Sequence, residues 1–231
     1  MKYEEGEFGY WWTVTKGNDD IEDGILNESL ICGWVELSSL KGCPKIIHGD
    51  FDCSHNKLKT LKFGPSIVTG NYYCHVNELR TLDYLPIESG GVFNCSDNKL
   101  KNLKGAMKVI QDDFNCAYNE LKNLIGGPET VLGDVDCADN ELETIEGCPK
   151  IIEGTFNCNS NNLRILKAAP VNSKNGYNHF YAYQNPGKHL EEEFKCRMQN
   201  TNLSEAEIQN EMFRRTKDKS YLSKEGNSLF L

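Results

Sequence analysis

Apolar residues along this chain recur at one fixed interval. Cys32, Cys53, Cys74, Cys95, Cys116, Cys137 and Cys158 follow one another every 21 residues. Asn56, Asn77, Asn98, Asn119, Asn140 and Asn161 keep the same step, as do Leu58, Leu79, Leu100, Leu121, Leu142 and Leu163. A period of this length marks a solenoid, in which each unit is one turn that cannot hide its apolar edge alone. The unit reads F-x-C-x-x-N-x-L-x-x-L-x-G-x-P-x-x-(I/V)-x-G-x, with good copies at Phe51–Leu61 and Phe93–Leu103. Residues two apart point to the same side of a strand, so Phe and Cys predict a short strand with both side chains buried. Successive strands pair in parallel about 4.8 Å apart, so seven units predict a stack on the order of 30 Å long. The asparagine is expected to turn the chain and to bond neighbouring backbone groups. Gly42-Cys43-Pro44, Gly127-Pro128 and Gly147-Cys148-Pro149 punctuate the return path. Gly49, Gly70, Gly91, Gly133 and Gly154 precede the strand, where a turn is expected.

The first unit is degenerate: Leu30, Cys32, Leu37 and Leu40 hold register, but Val35 stands in the asparagine slot. The last full unit ends near Pro170. The pattern L-x-x-L-x-L-x-x-(N/C)-x-L fits over the unit, with Phe51 and Cys53 as strand apolars. The expected architecture is an α/β-type solenoid dominated by β, a leucine-rich repeat with short parallel strands, an aromatic N-terminal cap and a helical C-terminal cap. Its parts are a cap over residues 1–28, a solenoid over 29–170 and a second cap over 171–231. In the first cap, Phe8, Tyr10, Trp11, Trp12 and Val14 read as a strand-like run covering the first repeat. Asp19-Asp20-Ile21-Glu22-Asp23-Gly24 fails as a calcium loop at Ile21 and Leu30. Beyond Pro170, Tyr177, Phe180, Tyr181 and Tyr183 predict one irregular strand, stopped by Pro186-Gly187. Leu190, Phe194 and Met198 then space as one amphipathic helix, and Ser204-Glu205-Ala206-Glu207 opens another.

Ten cysteines in 231 residues raise the question of disulfides or zinc. The spacing favours small buried hydrophobes in a stacked ladder, because no paired C-x-x-C clusters occur and seven neighbours cannot pair evenly. Hydrophobic residues make up 39% of the chain, and no apolar run approaches the ~18 residues of a membrane span. The acidic start at Met1–Glu5 has no apolar signal core, so a cytoplasmic protein is expected. The net charge of −9 denies the whole protein a basic nucleic-acid footprint. Residues 1–28 concentrate acid, with eight Asp and Glu against two lysines.

The near-copies Gly42-Cys43-Pro44-Lys45-Ile46-Ile47-His48-Gly49 and Gly147-Cys148-Pro149-Lys150-Ile151-Ile152-Glu153-Gly154 carry a family resemblance. Over about residues 29–170 the chain resembles the short leucine-rich repeats common in bacteriophage-encoded proteins. That resemblance implies a viral protein acting in a bacterial host, and assigns no chemistry. The repeat length is also similar to that of the bacterial effector ubiquitin ligases. Their Cys-x-Asp nucleophile has no counterpart in Lys195-Cys196-Arg197-Met198.

On a solenoid strand the residues flanking the buried pair face outward, onto the usual binding surface. The expected partner-binding set is Asp50, Asp52 and His55; Tyr73 and His75; Asn94 and Asp97; Asp113, Asn115 and Tyr118; Asp134, Asp136 and Asp139; and Asn157. This set is acidic and lacks Lys and Arg. It points to a concave face that binds a protein with a basic surface, with Tyr73 and Tyr118 as anchors. The adjoining stretch carries Lys57, Lys59, Lys62, Lys99, Lys101 and Lys104, then Glu141, Glu143 and Glu146, so a polarised solenoid is expected. No Ser-His-Asp signature, phosphate loop or metal motif is present, and the reading is non-enzymatic, without cofactor or metal. The host partner would be a bacterial protein, a defence enzyme among the candidates, which the chain modulates or inhibits. The alternatives are a DNA mimic, whose carboxylate rows fill a nucleic-acid cleft, and an assembly protein that self-associates through its caps.

Overall fold

The structure is a computed structural model and describes residues 4–15, 24–87, 89–164, 166, 180–187, 190 and 207. Among the described residues a short helix, α1 (Phe8–Thr15), precedes fourteen two-residue strands. In chain order these are β1 (Ile25–Leu26), β2 (Leu30–Ile31), β3 (Ile46–Ile47), β4 (Phe51–Asp52), β5 (Ile67–Val68), β6 (Tyr72–Tyr73) and β7 (Phe93–Asn94). They continue as β8 (Val109–Ile110), β9 (Phe114–Asn115), β10 (Thr130–Val131), β11 (Val135–Asp136), β12 (Ile151–Ile152), β13 (Phe156–Asn157) and β14 (Phe180–Tyr181). The result is a mostly-β parallel solenoid of about seven turns.

The Phe-x-Cys strands form one parallel sheet of eight, in the order β2-β4-β6-β7-β9-β11-β13-β14. Every partner sits one turn away, as in Phe93↔Phe114 and Asn94↔Asn115. A second sheet runs along the return path, which the sequence pattern does not announce. It comprises β1-β3-β5 and β12-β10-β8, linked by single bridges from Val68 to Ser89 and from Ser89 to Ile110. Two residues per strand are too few to display an alternating pattern.

Between the sheets the core is a set of ladders. Phe51, Tyr72, Phe93 and Phe114 pack ring against ring, the first two pairs edge-on with centroids 5.1 and 6.0 Å apart and the third stacked at 5.7 Å. Leu58, Leu61, Leu79, Leu82, Leu100 and Leu103 close one side, and Ile47, Val68, Ile110, Val131 and Ile152 the other. Each such side chain contributes about 1.5–3 kcal/mol by leaving water. The seven ladder cysteines are buried free thiols. Burial raises the pKa of the six from Cys32 to Cys137, and at Cys148, on the return path, it does so to about 12. They pack as small hydrophobes rather than as reactive thiolates.

One asparagine per turn binds the stack together. Asn98 Oδ1 accepts the Leu79 N–H of the preceding turn at 2.9 Å. Its Nδ2 donates to the Cys74, Cys95 and Ser96 carbonyls at 3.1–3.2 Å. Asn56, Asn77, Asn119, Asn140 and Asn161 bond in the same way to Leu37, Leu58, Leu100, Leu121 and Leu142. The residue before each asparagine is left-handed: His55, Val76, Asp97, Tyr118, Asp139 and Ser160 all have φ between 51° and 55°.

Three local expectations change. The aromatic N-terminal run is helical rather than strand-like. Its residues favour strands by propensity, but Phe8 and Trp12, four apart, are both buried on the first turn, which selects helical spacing. Gly6 (φ 85°) lets the chain turn there, and its carbonyl accepts the Ser38 N–H at 2.8 Å. Glu7 caps this junction: its carboxylate meets Lys41 at 3.0 Å and accepts the Glu4 N–H at 2.9 Å, bonds that lower its pKa.

The chain bends at the glycines before each strand as expected, but the reason for glycine changes, since Gly49, Gly70, Gly91, Gly133 and Gly154 do not have positive φ. A Cβ at Gly70, Gly91, Gly133 or Gly154 would strike the Oδ1 of Asp50, Asn71, Asp113 or Asp134 in the turn before. The repeat also runs past Pro170. Phe180-Tyr181-Ala182-Tyr183-Gln184-Asn185 is an eighth copy in which Ala182 takes the cysteine slot. Asn185 bonds Leu163 N–H and the Cys158 carbonyl at 2.9 Å each. The two expected C-terminal helices lie outside the described residues, apart from Leu190 and Glu207. Among the described residues no helix is long and apolar enough to cross a membrane.

Two stability predictions follow from this packing. Asn98→Ala strands the Leu79 N–H and takes one of two donors from each of the Cys74, Cys95 and Ser96 carbonyls, and it should cost about 1–3 kcal/mol in denaturant unfolding. Tyr72 carries a buried hydroxyl without a partner among the described residues, where five other turns place Phe. Tyr72→Phe should therefore raise stability by about 1 kcal/mol in the same assay.

Candidate functional site

The outer surface of the eight-stranded sheet is built from two parallel rows. The strand row runs Ile31, Asp52, Tyr73, Asn94, Asn115, Asp136, Asn157 and Tyr181, in register through the ladder. The tip row holds the left-handed residues Trp34, His55, Val76, Asp97, Tyr118, Asp139, Ser160 and Gln184. At the tip the chain donates two N–H groups to the next turn, as Asp97 does to Ala117 and Asn98 to Tyr118. The backbone is therefore held from both sides and the tip side chain is left to face outward.

The predicted site residues separate into three groups. Asp50, Asp113 and Asp134 are structural acceptors. Their Oδ1 atoms take the N–H of Asn71, Asp134 and Thr155 in the following turn at 2.6–2.8 Å. Asn71 does the same for Val92, so the slot needs an acceptor rather than a charge. Asp52, Asn94, Asn115, Asp136 and Asn157 fold back on their own strand end. Each Oδ1 accepts the N–H two residues on, at 2.9–3.1 Å. These Asx turns set the direction in which the chain leaves the strand. They remain half-buried and still form part of the face.

The tips and the aromatic side chains among them are the third group. Trp34, 76% exposed, stacks on His55 with centroids 3.8 Å apart and planes 12° from parallel. His55 meets the edge of His75 at 5.2 Å, and Tyr73 meets His75 at 6.2 Å. Burial holds His75 below the ordinary histidine range, and its Nδ1 has no hydrogen-bond partner among the described residues. Burial raises the Tyr73 phenol, reinforced by Asp50, Asp52 and Asp112. Towards the other end Tyr118, 61% exposed, stands between Asp97 and Asp139 on adjacent turns. The Asp139 carboxylate raises the Tyr118 pKa by its charge and by accepting the phenol proton's hydrogen bond. Trp34 was not among the expected site residues. Its signal lay in the repeat alignment, which puts it in the same slot as His55 and Tyr118.

The expected charge polarity along the neighbouring side is reduced by cross-turn ion pairs. Lys57–Glu36, Lys99–Glu78, Lys101–Glu120 and Lys122–Glu143 lie at 3.2–3.8 Å. Such exposed pairs add little stability, but they neutralise one another. Among the described residues no three His, Cys, Asp or Glu side chains converge as a metal ion would require. No protein-family profile, curated protein or solved structure matches the chain.

Asp136 provides a test of which carboxylates are structural. Burial raises its pKa, so the folded chain holds this proton more tightly than the unfolded one does, and stability falls as pH rises through that window. Asn occupies the same slot in three turns and makes the same bond. Asp136→Asn should melt above the wild type at pH 7, with the gap closing as the pH falls below the carboxylate range. Thermal melts across that range check it.

Proposed function

We propose that the chain is a non-enzymatic leucine-rich-repeat module that grips a protein with a basic surface through the outer face of its long sheet. The observation that carries this reading is the Asp97–Tyr118–Asp139 row. An exposed phenol is bracketed by carboxylates on successive turns, on backbone held in place by the next turn. Among the described residues neither tip aspartate accepts a backbone N–H in the way Asp50, Asp113 and Asp134 do. Their charge is thus left for a partner. A tyrosine oriented by one of them offers a large contact at small entropic cost. Opposite charge on the partner would speed and orient encounter. Asp52, Tyr73, Asn94, Asn115, Asp136 and Asn157 extend the face, and Trp34 with His55 adds an aromatic end. The resemblance of the repeats to bacteriophage proteins supports a bacterial host protein as the partner, with binding as the means of modulating or inhibiting it.

The test compares wild type with Asp97→Lys/Asp139→Lys and with Tyr118→Asn, which tolerates the left-handed backbone. Each is immobilised and used to capture partners from bacterial lysate. A specific prey should be retained by wild type, weaken with added salt and be lost from the double charge reversal. For a purified prey, Tyr118→Asn should raise Kd by about 30-fold, the size of a buried aromatic anchor. Equal retention by all variants would move the site off this face. A prey displaced by duplex DNA would instead favour nucleic-acid mimicry. An absence of prey together with a solution mass well above that of one chain would favour self-assembly.

A further inference from the structure

A second surface stands out at the corner between the return-path sheet and the ion-paired side. Every described turn bends there through one left-handed residue. In four turns it is glycine: Gly42, Gly105, Gly126 and Gly147, at φ 84–94°. A Cβ on Gly105, Gly126 or Gly147 would run into the backbone of the turn before, so glycine lets these turns close up. In the two turns between Gly42 and Gly105 the slot holds Phe63 and Tyr84, both at φ 74°. A bulky side chain in this region is disfavoured by about 1–2 kcal/mol. Neither ring is repaid by burial, since Phe63 is 44% and Tyr84 59% exposed.

The same two turns carry further apolar surface. Ile67 is 47% and Ile87 86% exposed. Between them lies a groove of about 510 Å³, floored by Val68, Ser89 and Gly90. Ser89 fills the core slot that Val68 and Ile110 hold in the neighbouring turns, and Gly90 lies flat against the Thr69 carbonyl, so no side chain fills the groove from below.

The charges around this corner are mostly positive. Lys45 caps the bend through the Phe63 and Gly64 carbonyls at 3.1 and 3.0 Å. Lys62 lies 5.0 Å from the Phe63 ring centre. Lys59, Lys62, Arg80 and Lys104 form no ion pair among the described residues, in contrast to the paired lysines beside them. Asp83 is the acid within this group, and Glu88 follows Ile87 in the sequence.

We propose that this corner is a second docking site, for an acidic polypeptide segment. The segment seats an apolar side chain in the groove between Ile67 and Ile87, while its carboxylates meet Lys59, Lys62, Arg80 and Lys104. Phe63 and Tyr84 stand exposed on the same two turns, four and three residues before Ile67 and Ile87. Charge complementarity selects this occupant, because a basic segment would face four unpaired cations. The groove favours a side chain over a lipid surface or a nucleic-acid strand, neither of which needs one. The site is independent of the long-sheet face, whose Asp97→Lys/Asp139→Lys variant should leave it intact.

The glycine turns supply the control. Phe63→Gly/Tyr84→Gly restores the residue of the other four turns, so it should melt at or above the wild-type temperature. The binding probe is a fluorescein-labelled twelve-residue peptide of alternating Glu and Leu, followed by anisotropy on the full chain. Wild type should bind it in a salt-sensitive manner. The glycine variant and Lys62→Glu/Lys104→Glu should each weaken binding by about tenfold or more, as should Ile87→Ser, which alters a side chain outside the core. The proposal is overturned by any of four results. They are a drop in melting temperature for the glycine variant, which would make the rings structural; equal binding of a Lys-Leu peptide; unchanged binding in the variants; and binding only to phosphatidylglycerol vesicles or to oligo-dT.

Discussion

One amide side chain per turn is what the stack depends on. The asparagine sits where the chain leaves the strand and enters the interior, a place from which water is excluded and where several backbone groups point inward. It offers one acceptor and two donor hydrogens at the length needed to reach two turns at once. Aspartate would bring a charge and no donor, and glutamine would overreach. The degenerate first turn shows the dependence in reverse. With Val35 in the slot, Glu36 is forced to a left-handed φ of 61°. The backbone of the next residues is then covered from outside, by the Gly6 carbonyl on the Ser38 and Ser39 N–H groups and by the Phe8 and Gly9 N–H groups on the Ser39 and Lys41 carbonyls. α1 is thus a cap in the energetic sense, supplying at the end of the stack what another turn supplies within it.

The same constraint sorts the acidic residues of the long face. Some aspartates stand where the fold needs an acceptor, and asparagine serves equally in other turns: Asp50, Asp113 and Asp134 against Asn71, and Asp52 and Asp136 against Asn94, Asn115 and Asn157. Asp97 and Asp139 stand in a slot that elsewhere holds Trp, His, Val, Tyr, Ser and Gln, where the fold asks for nothing but a left-handed backbone. The chemistry of that slot is free to follow a partner.

Much of the architecture was legible in the sequence because it rests on residues with few substitutes. The cysteine and asparagine ladders and the parallel strands follow from a period that never slips between Cys32 and Cys158. The return-path sheet was hidden because Ile46-Ile47 and its equivalents are two residues long. The eighth turn was obscured by Ala182 in place of cysteine and by a longer connection from the seventh. The helix at Phe8–Thr15 was masked by aromatic residues whose propensity favours strand until the burial of Phe8 and Trp12 is known. The strand positions of the long face fall in register from turn to turn, as the 21-residue period requires. Which carboxylates were already engaged depended on contacts between turns, and a single unit does not show these.

Phe63 and Tyr84 make the strongest physical case that this solenoid is more than a self-supporting stack. A repeat protein contains its own reference state, since each slot is solved several times by one backbone. Where four turns choose glycine at a left-handed bend, two adjacent turns that choose exposed aromatics depart from the local optimum by about 1–2 kcal/mol each. Against a total stability of about 5–15 kcal/mol that is a sizeable concession. The Lys45 ammonium on the Phe63 and Gly64 carbonyls offsets part of the strain without removing its source. Strain that the core does not require is retained where the side chain it displays has a use. The flat groove left by Ser89 and Gly90 in the same two turns locates that use at one corner rather than along the whole edge.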